Sequence, residues 1–212
     1  SIYRPIPRDR DQVFANYDGT IADILKALVP LTRKFLEYSG NTKDVKWINL
    51  GGIKIDRNFT QTATREDWIA QAEHIQRTLT DDVIDQAFRN LPEELQDQTV
   101  EHIKGVLKER RAQLPDMASR YYDRLAKLVI MTATDKDDFI KVTRLNGETK
   151  VEISRIKNGQ VEPPYKTRLI KREETSEIWI YALDDDDQIS VAGNGAQPIF
   201  MRIIGGQNND IY

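Results

Sequence analysis

Apolar periodicity changes once along this chain, and that change limits the folds open to it. Up to Leu128 apolar residues recur at helical spacing, and from about Val129 they alternate. Two Asn-Gly dipeptides follow, Asn146-Gly147 and Asn158-Gly159, each between β-prone runs. Both residues of such a pair accept the positive φ of a tight hairpin turn. The pattern predicts a meander of Asp138–Leu145, Glu148–Lys157 and Gln160–Leu169, the third interrupted by Pro163-Pro164. Glu177–Leu183 is apolar on both faces, which predicts a central strand covered on both sides, and Gln188–Ala192 and Ile199–Ile204 complete the set. The expected class is α+β: a helical lobe over residues 1–128, then a mainly antiparallel β domain over 129–212. Leu183-Asp-Asp-Asp-Asp-Gln-Ile and Ile204-Gly-Gly-Gln-Asn-Asn-Asp-Ile each place a polar turn between apolar residues, about 21 residues apart. That spacing suits rungs of a β-solenoid, so a sandwich and the start of a solenoid both fit.

Within the helical lobe, Thr20 reads as an N-cap for a helix carrying Ile21, Ile24, Leu25 and Leu28, kinked at Pro30 and ended at Gly40-Asn41. Trp47–Gly52 reads as a loop or short strand. Thr64 is expected to cap a helix with the stripe Trp68, Ile69, Ala72, Ile75 and Leu79, and Thr80 to cap one with Val83, Ile84, Ala87 and Phe88 inward. Pro92 is placed as the first residue of a helix that carries Val100, Ile103, Val106 and Leu107, and Pro115 opens a last one through Tyr121, Tyr122 and Leu125. The segment Ile2–Arg8 reads as an extended strand kept from the middle of a sheet by its two prolines.

Charge and composition remove several classes of function. Thirty-four acidic residues face 31 basic ones, a formal charge of -3, without the basic excess expected of a nucleic-acid binder. No run approaches the roughly 18 apolar residues of a membrane span. The absence of cysteine removes disulfides, thiolate catalysis and cysteine metal sites, and two histidines, His74 and His102, do not make a multi-histidine zinc site. The ends read as those of a fragment of a longer protein.

Two acidic clusters are candidate sites. Asp9 and Asp11, at i and i+2 of an extended segment, project to one side, and like charges so close call for a cation or an arginine. Mg²⁺ or Mn²⁺ needs few protein carboxylates when phosphate oxygens supply the rest. Arg8 and Arg10 are candidates to clamp a phosphate, or they simply pair with the acids as a surface cluster. Asp18 stands at a turn from which it could contribute. The second cluster is Asp184, Asp185, Asp186 and Asp187 with Asp210, a candidate Ca²⁺ site or a pair of solvated turns. Its Gly205-Gly206-Gln207-Asn208-Asn209-Asp210 resembles the Gly-Gly-x-Gly-x-Asp repeat of calcium-binding β-rolls, with Asn208 in place of the third glycine. His74, His102 and the run Lys104, Lys108, Arg110, Arg111 read as solvated helix faces, and Trp68, Tyr121 and Tyr122 as core.

The segment Tyr3-Arg-Pro-Ile-Pro-Arg-Asp-Arg-Asp-Gln-Val-Phe14 resembles one in large bacterial surface proteins often described as metallophosphoesterases. It is also similar to a segment of spore-coat-H-type atypical kinases. Ile55–Phe59, Glu66–Trp68, Leu79–Ile84, Arg110-Arg111, Tyr121-Tyr122, Thr175–Ile178 and Arg202–Gly206 extend the likeness loosely over most of the chain. The resemblance implies that Asp9 and Asp11 are metal ligands, with Asp9 the principal one, in the back half of a kinase-like lobe. It also implies a periplasmic or cell-surface location, a nucleotide partner and contact with the rest of a parent chain. The kinase's upstream catalytic loop, glycine-rich loop and ATP-gripping lysine, and the His/Asp motifs of a metallophosphoesterase, have no counterpart here. Two expectations follow: the metal-binding part of a phosphotransferase, inactive alone, or a non-catalytic interaction or spacer module.

Overall fold

A computed structural model describes residues 14–17 and 19–212. The fold is α+β, an N-terminal helical lobe followed by a β domain. By compactness the chain divides into two units, one taking the chain up to Gly51 with Glu66–Arg120, the other Gly52–Arg65 with Tyr121–Tyr212.

In the first unit, α1 (Thr20–Leu28) starts after Gly19, and no side chain caps it, so Thr20 is the first helical residue rather than the cap. Pro30 does more than kink it: α1 stops at Leu28, and a 3-10 helix, Pro30–Lys34, begins at the proline. Trp47-Ile48 lies in a one-turn helix, α2 (Val45–Ile48), instead of a loop or strand; buried Val45 anchors it, and Asn49 bonds back to the Val45 carbonyl. α4 (Arg65–Thr78) and α5 (Asp81–Phe88) follow, the latter capped by Thr80 Oγ1, which accepts from the Val83 N–H at 3.3 Å. Pro92 does not open the next helix. It precedes a short 3-10 turn, Glu93–Leu95, while α6 (Gln98–Ala112) is capped by Asp97, whose Oδ1 accepts from Thr99 and Val100 N–H. An aspartate at the cap satisfies two orphan donors, which a proline cannot do. α7 (Leu114–Ala126) has Pro115 in its first turn, as expected.

The second unit contains α3 (Ile53–Phe59), the end of α7 and eight strands. β1 (Leu128–Thr132), β6 (Glu177–Leu183) and β8 (Phe200–Gly206) form one parallel sheet in the order β1-β6-β8. β2 (Asp138–Leu145) and β3 (Glu148–Lys157) form the expected Asn146-Gly147 hairpin, with Gly147 at φ 72°. β4 (Gln160–Val161) and β5 (Lys166–Lys171) are the two halves of the proline-broken third strand, both antiparallel to β3. β7 (Gln188–Ala192) runs parallel to β2. Three parallel and three antiparallel pairs among the described residues make the β domain evenly mixed.

The parallel pairs share a register. Ile130 opposes Trp179 and Ile140 opposes Ile189, both offset by 49 residues, and Trp179 opposes Arg202, offset by 23. The chain therefore crosses from one sheet to the other three times in stacked passes, with the β3–β5 meander inserted after the first. Isolated bridges, Asp135 with Asp184 and Gln188 with Ile211, continue the stack around the corner. The echo in the sequence is thus a real stack with a repeat of 23, since Leu183 opposes Gly206 rather than Ile204. Between the sheets lie Met131, Ile140, Val142, Val151, Ile153, Ile178, Ile180 and Ala182, each 0% exposed. β6 is central, but only this inner face is fully buried; Trp179 and Tyr181 are half-buried, with the Arg202 guanidinium 5.5 Å from the Trp179 ring.

Segment Gly52–Arg65 covers the outer edge of β1. Gln61 Oε1 accepts from the Thr132 N–H at 3.0 Å, and Lys166 Nζ donates to Gln61 Oε1 and to the Thr132 carbonyl. Arg65 is ion-paired to Glu174 at 2.8 Å and to Asp123 at 2.7 Å. An edge strand's unpaired groups are here satisfied by side chains.

Candidate functional site

Asp9, Asp11, Arg8, Arg10 and Asp18 lie outside the described residues. His74 on α4 and His102 on α6 are exposed. The basic run of α6 is less a solvated face than expected. Lys108 and Arg111 pair with Asp81 on α5, Lys108 also with Asp85, and Arg110 donates to the Ser39 carbonyl and lies over the Tyr38 ring. Tyr121 and Tyr122 are buried, whereas Trp68 is only half-buried. A polar groove of about 680 Å³ beside the Asn146-Gly147 turn is lined by Glu148, Glu173, Lys171 and Arg172, whose signs cancel.

The side chains with the most site-like environment are at the acidic corner, where the three passes turn from the parallel sheet toward β2 and β7. Asp184–Asp187 form the second crossing, and Asn208–Asp210 belong to the third. The first crossing, Asp135-Lys136-Asp137-Asp138, was not singled out from the sequence. A signal for it exists: Ala133-Thr-Asp-Lys-Asp-Asp and Ala182-Leu-Asp-Asp-Asp-Asp share alanine and three aspartates at the 49-residue offset. The inserted meander hides that match from a search for short repeats.

Stacking places the aspartates in two columns whose hydrogen bonds run in opposite directions. In the inner column the Asp138 N–H donates to Asp187 Oδ1 at 2.8 Å, and the Asp187 N–H donates to Asp210 Oδ1 at 3.2 Å. In the outer column the Asp186 N–H donates to Asp137 Oδ1 at 3.3 Å, and the Asn209 N–H to Asp186 Oδ1 at 3.1 Å. Asn208 Nδ2 donates to Asp184 Oδ1, and the Thr134 N–H and hydroxyl donate to Asp138 Oδ2, both at 2.7 Å. Tight turns leave backbone N–H groups unpaired, and here carboxylates of adjacent passes satisfy them. The backbone supports this. Asp185 and Asn208, one above the other, have φ of 72° and 73°. Gly206 has φ 123°, and a Cβ there would run into the Leu183 carbonyl, which accepts from the Gln207 N–H at 3.2 Å.

Two members of the inner column are buried, Asp138 at 0% and Asp187 at 1% exposed, and Asp210 is half-buried. Arg155 lies 3.5 Å from Asp138 Oδ1 and also donates to the Thr134 hydroxyl. Burial and the Asp138 charge push the Tyr165 hydroxyl above its usual range. Burial first, then the charges of Asp138, Asp210 and Asp137, raise the Asp187 carboxyl to about 7, opposed by the Asp138 N–H. The candidate Ca²⁺ residues are therefore brought together in part, Asp184, Asp186, Asp187 and Asp210 within one ladder, with Asp185 at the rim 3.9 Å from Lys136. Among the described residues, however, no three acidic or histidine side chains converge on a point that could hold a metal ion. No helix among them is long and apolar enough to cross a membrane. Compared with known proteins, the chain matches no family model, no curated protein and no solved structure.

Proposed function

We propose that this chain is a non-catalytic interaction or spacer module whose β unit is a stiff, stacked platform. The observation that carries this reading is the use made of the acidic corner. Asp137, Asp186, Asp187 and Asp210 each accept a hydrogen bond from a backbone N–H of a neighbouring pass. Carboxylates committed in this way hold turns in register and are not presented to a substrate. An interaction role draws on α1, where Ile21, Ile24, Leu25 and Leu28 recur at helical spacing and are between 46% and 77% exposed. In a cell-envelope protein, such a platform would hold neighbouring parts of a longer chain apart or present them to a partner.

The competing phosphotransferase reading rests on Asp9 and Asp11. Titration of the full chain with Mg²⁺ and ATP, followed by calorimetry and thermal unfolding, separates the two. The module reading predicts no binding heat and an unchanged Tm, with the same result for the Asp9→Asn, Asp11→Asn double variant. A ligand at a hundred times its Kd would stabilise a binding protein by about 2.7 kcal/mol. Mg²⁺-dependent nucleotide binding that the double variant loses would replace the module with the phosphotransferase.

A further inference from the structure

Asp187 occupies an unusual position in the corner. It is 1% exposed; Oδ1 accepts the Asp138 N–H at 2.8 Å, and Oδ2 has no hydrogen-bond partner among the described residues. The first crossing brings Asp137 and Asp138 toward it, the third brings Asp210, and its own crossing adds Asp184, Asp185 and Asp186. On the cationic side, Arg155 of β3 is engaged with Asp138 and Thr134, and Lys136 reaches Asp185 at the rim. Tyr165 adds a neutral hydroxyl near Asp138. Arg155, the one arginine at the inner column among the described residues, is thus matched by Asp138. An ionised Asp187 would be a second buried negative charge with a single donor, in a place where desolvation costs several kcal/mol per ion.

We propose that Asp187 keeps its proton in the folded chain and that the acidic corner is a proton-dependent latch, closed while this carboxyl is neutral and loosened when it ionises. The raised carboxyl, at about 7 against an ordinary 3.8, agrees with the geometry. Its folded value lies above its unfolded one. The stability it contributes is therefore complete below about pH 4 and is lost as pH rises through about 7, because the folded state binds the extra proton over that window. The corner joins all three passes, so its loosening reaches both sheets.

The test is unfolding of the full chain from about pH 5 to about pH 9 in EDTA, native beside Asp187→Asn. The asparagine keeps an acceptor for the Asp138 N–H and removes the charge. The native Tm is expected to fall through neutrality, the D187N curve to stay flatter, and the two to cross so that the variant is the more stable one at alkaline pH. Asp186→Asn, at the exposed middle position of the outer column, should keep the native slope. A flat native curve would overturn the latch, as would D187N being weakened equally at every pH. So would Ca²⁺ stabilising the native chain and not D187N at alkaline pH, since a cation would then neutralise the corner. Should D187N fail to fold, NMR titration of the Asp187 carboxyl carbon in the native chain decides: a midpoint near neutrality supports the proposal, and one below about pH 5 refutes it.

Discussion

The two compact units treat polarity in opposite ways. In the β unit, carboxylates are buried and the inner faces of four strands reach 0% exposure. In the helical unit, α1 has no buried residue, Ile75 and Val83 are more than 40% exposed, and fully buried apolar residues are few among the described residues, Ile84, Val100 and Val106 being three. The difference follows from how each secondary structure satisfies its backbone. A helix closes its own hydrogen bonds and can stand with a thin core, provided its ends are capped and its charges paired. Stacked passes satisfy theirs only through each other, so every turn needs a partner from the next pass, and here that partner is an aspartate. The β unit should therefore be cooperative and intolerant of change, and the helical unit locally stabilised and tolerant.

That comparison is open to direct attack. Ile180→Ala removes most of a side chain from the centre of the β core, where Ile180 is 0% exposed, and should cost about 4 kcal/mol in urea unfolding, near the upper end for core truncations. Ile84→Ala in the helical unit, at 3% exposure but with thinner surroundings, should cost about 2 kcal/mol, because neighbours can collapse into the space. Equal losses would break the contrast. Thr80→Ala, which removes the α5 cap, should be the smallest, about 1 kcal/mol, and confined to helical circular-dichroism signal.

What could be read in the sequence follows the same division between local and non-local causes. The β2–β3 hairpin is legible because Asn146-Gly147 fixes both the turn and the register, and the proline pair correctly splits β4 from β5. Thr80 is legible as a cap because a cap needs only its own first turn. Pro92 misleads because Asp97, five residues on, offers a better helix start, and α2 is missed because one turn carries no period. Likewise, the half-open face of β6 depends on Arg202 of another strand. At the candidate site, the acids of the second crossing stand out by composition. Their partners at Asp137 and Asp138 do not, because pairing across 49 residues exists only once the stack is built. Nothing in four adjacent aspartates indicates that one of them is buried, with one oxygen lacking a hydrogen-bond partner among the described residues.

Native-state hydrogen exchange at the corner tests most directly whether its acids are structural. The amides of Asp186, Asp187 and Asn209 lie at turns and that of Asp138 at the first residue of β2, yet each donates to a stacked carboxylate. They should be protected as strongly as amides within β2 and β6, and Mg²⁺, Ca²⁺ or nucleotide should not change them. Exchange at loop rates, with protection appearing only when one of those ligands is added, would make the corner a binding site and contradict the structural ladder.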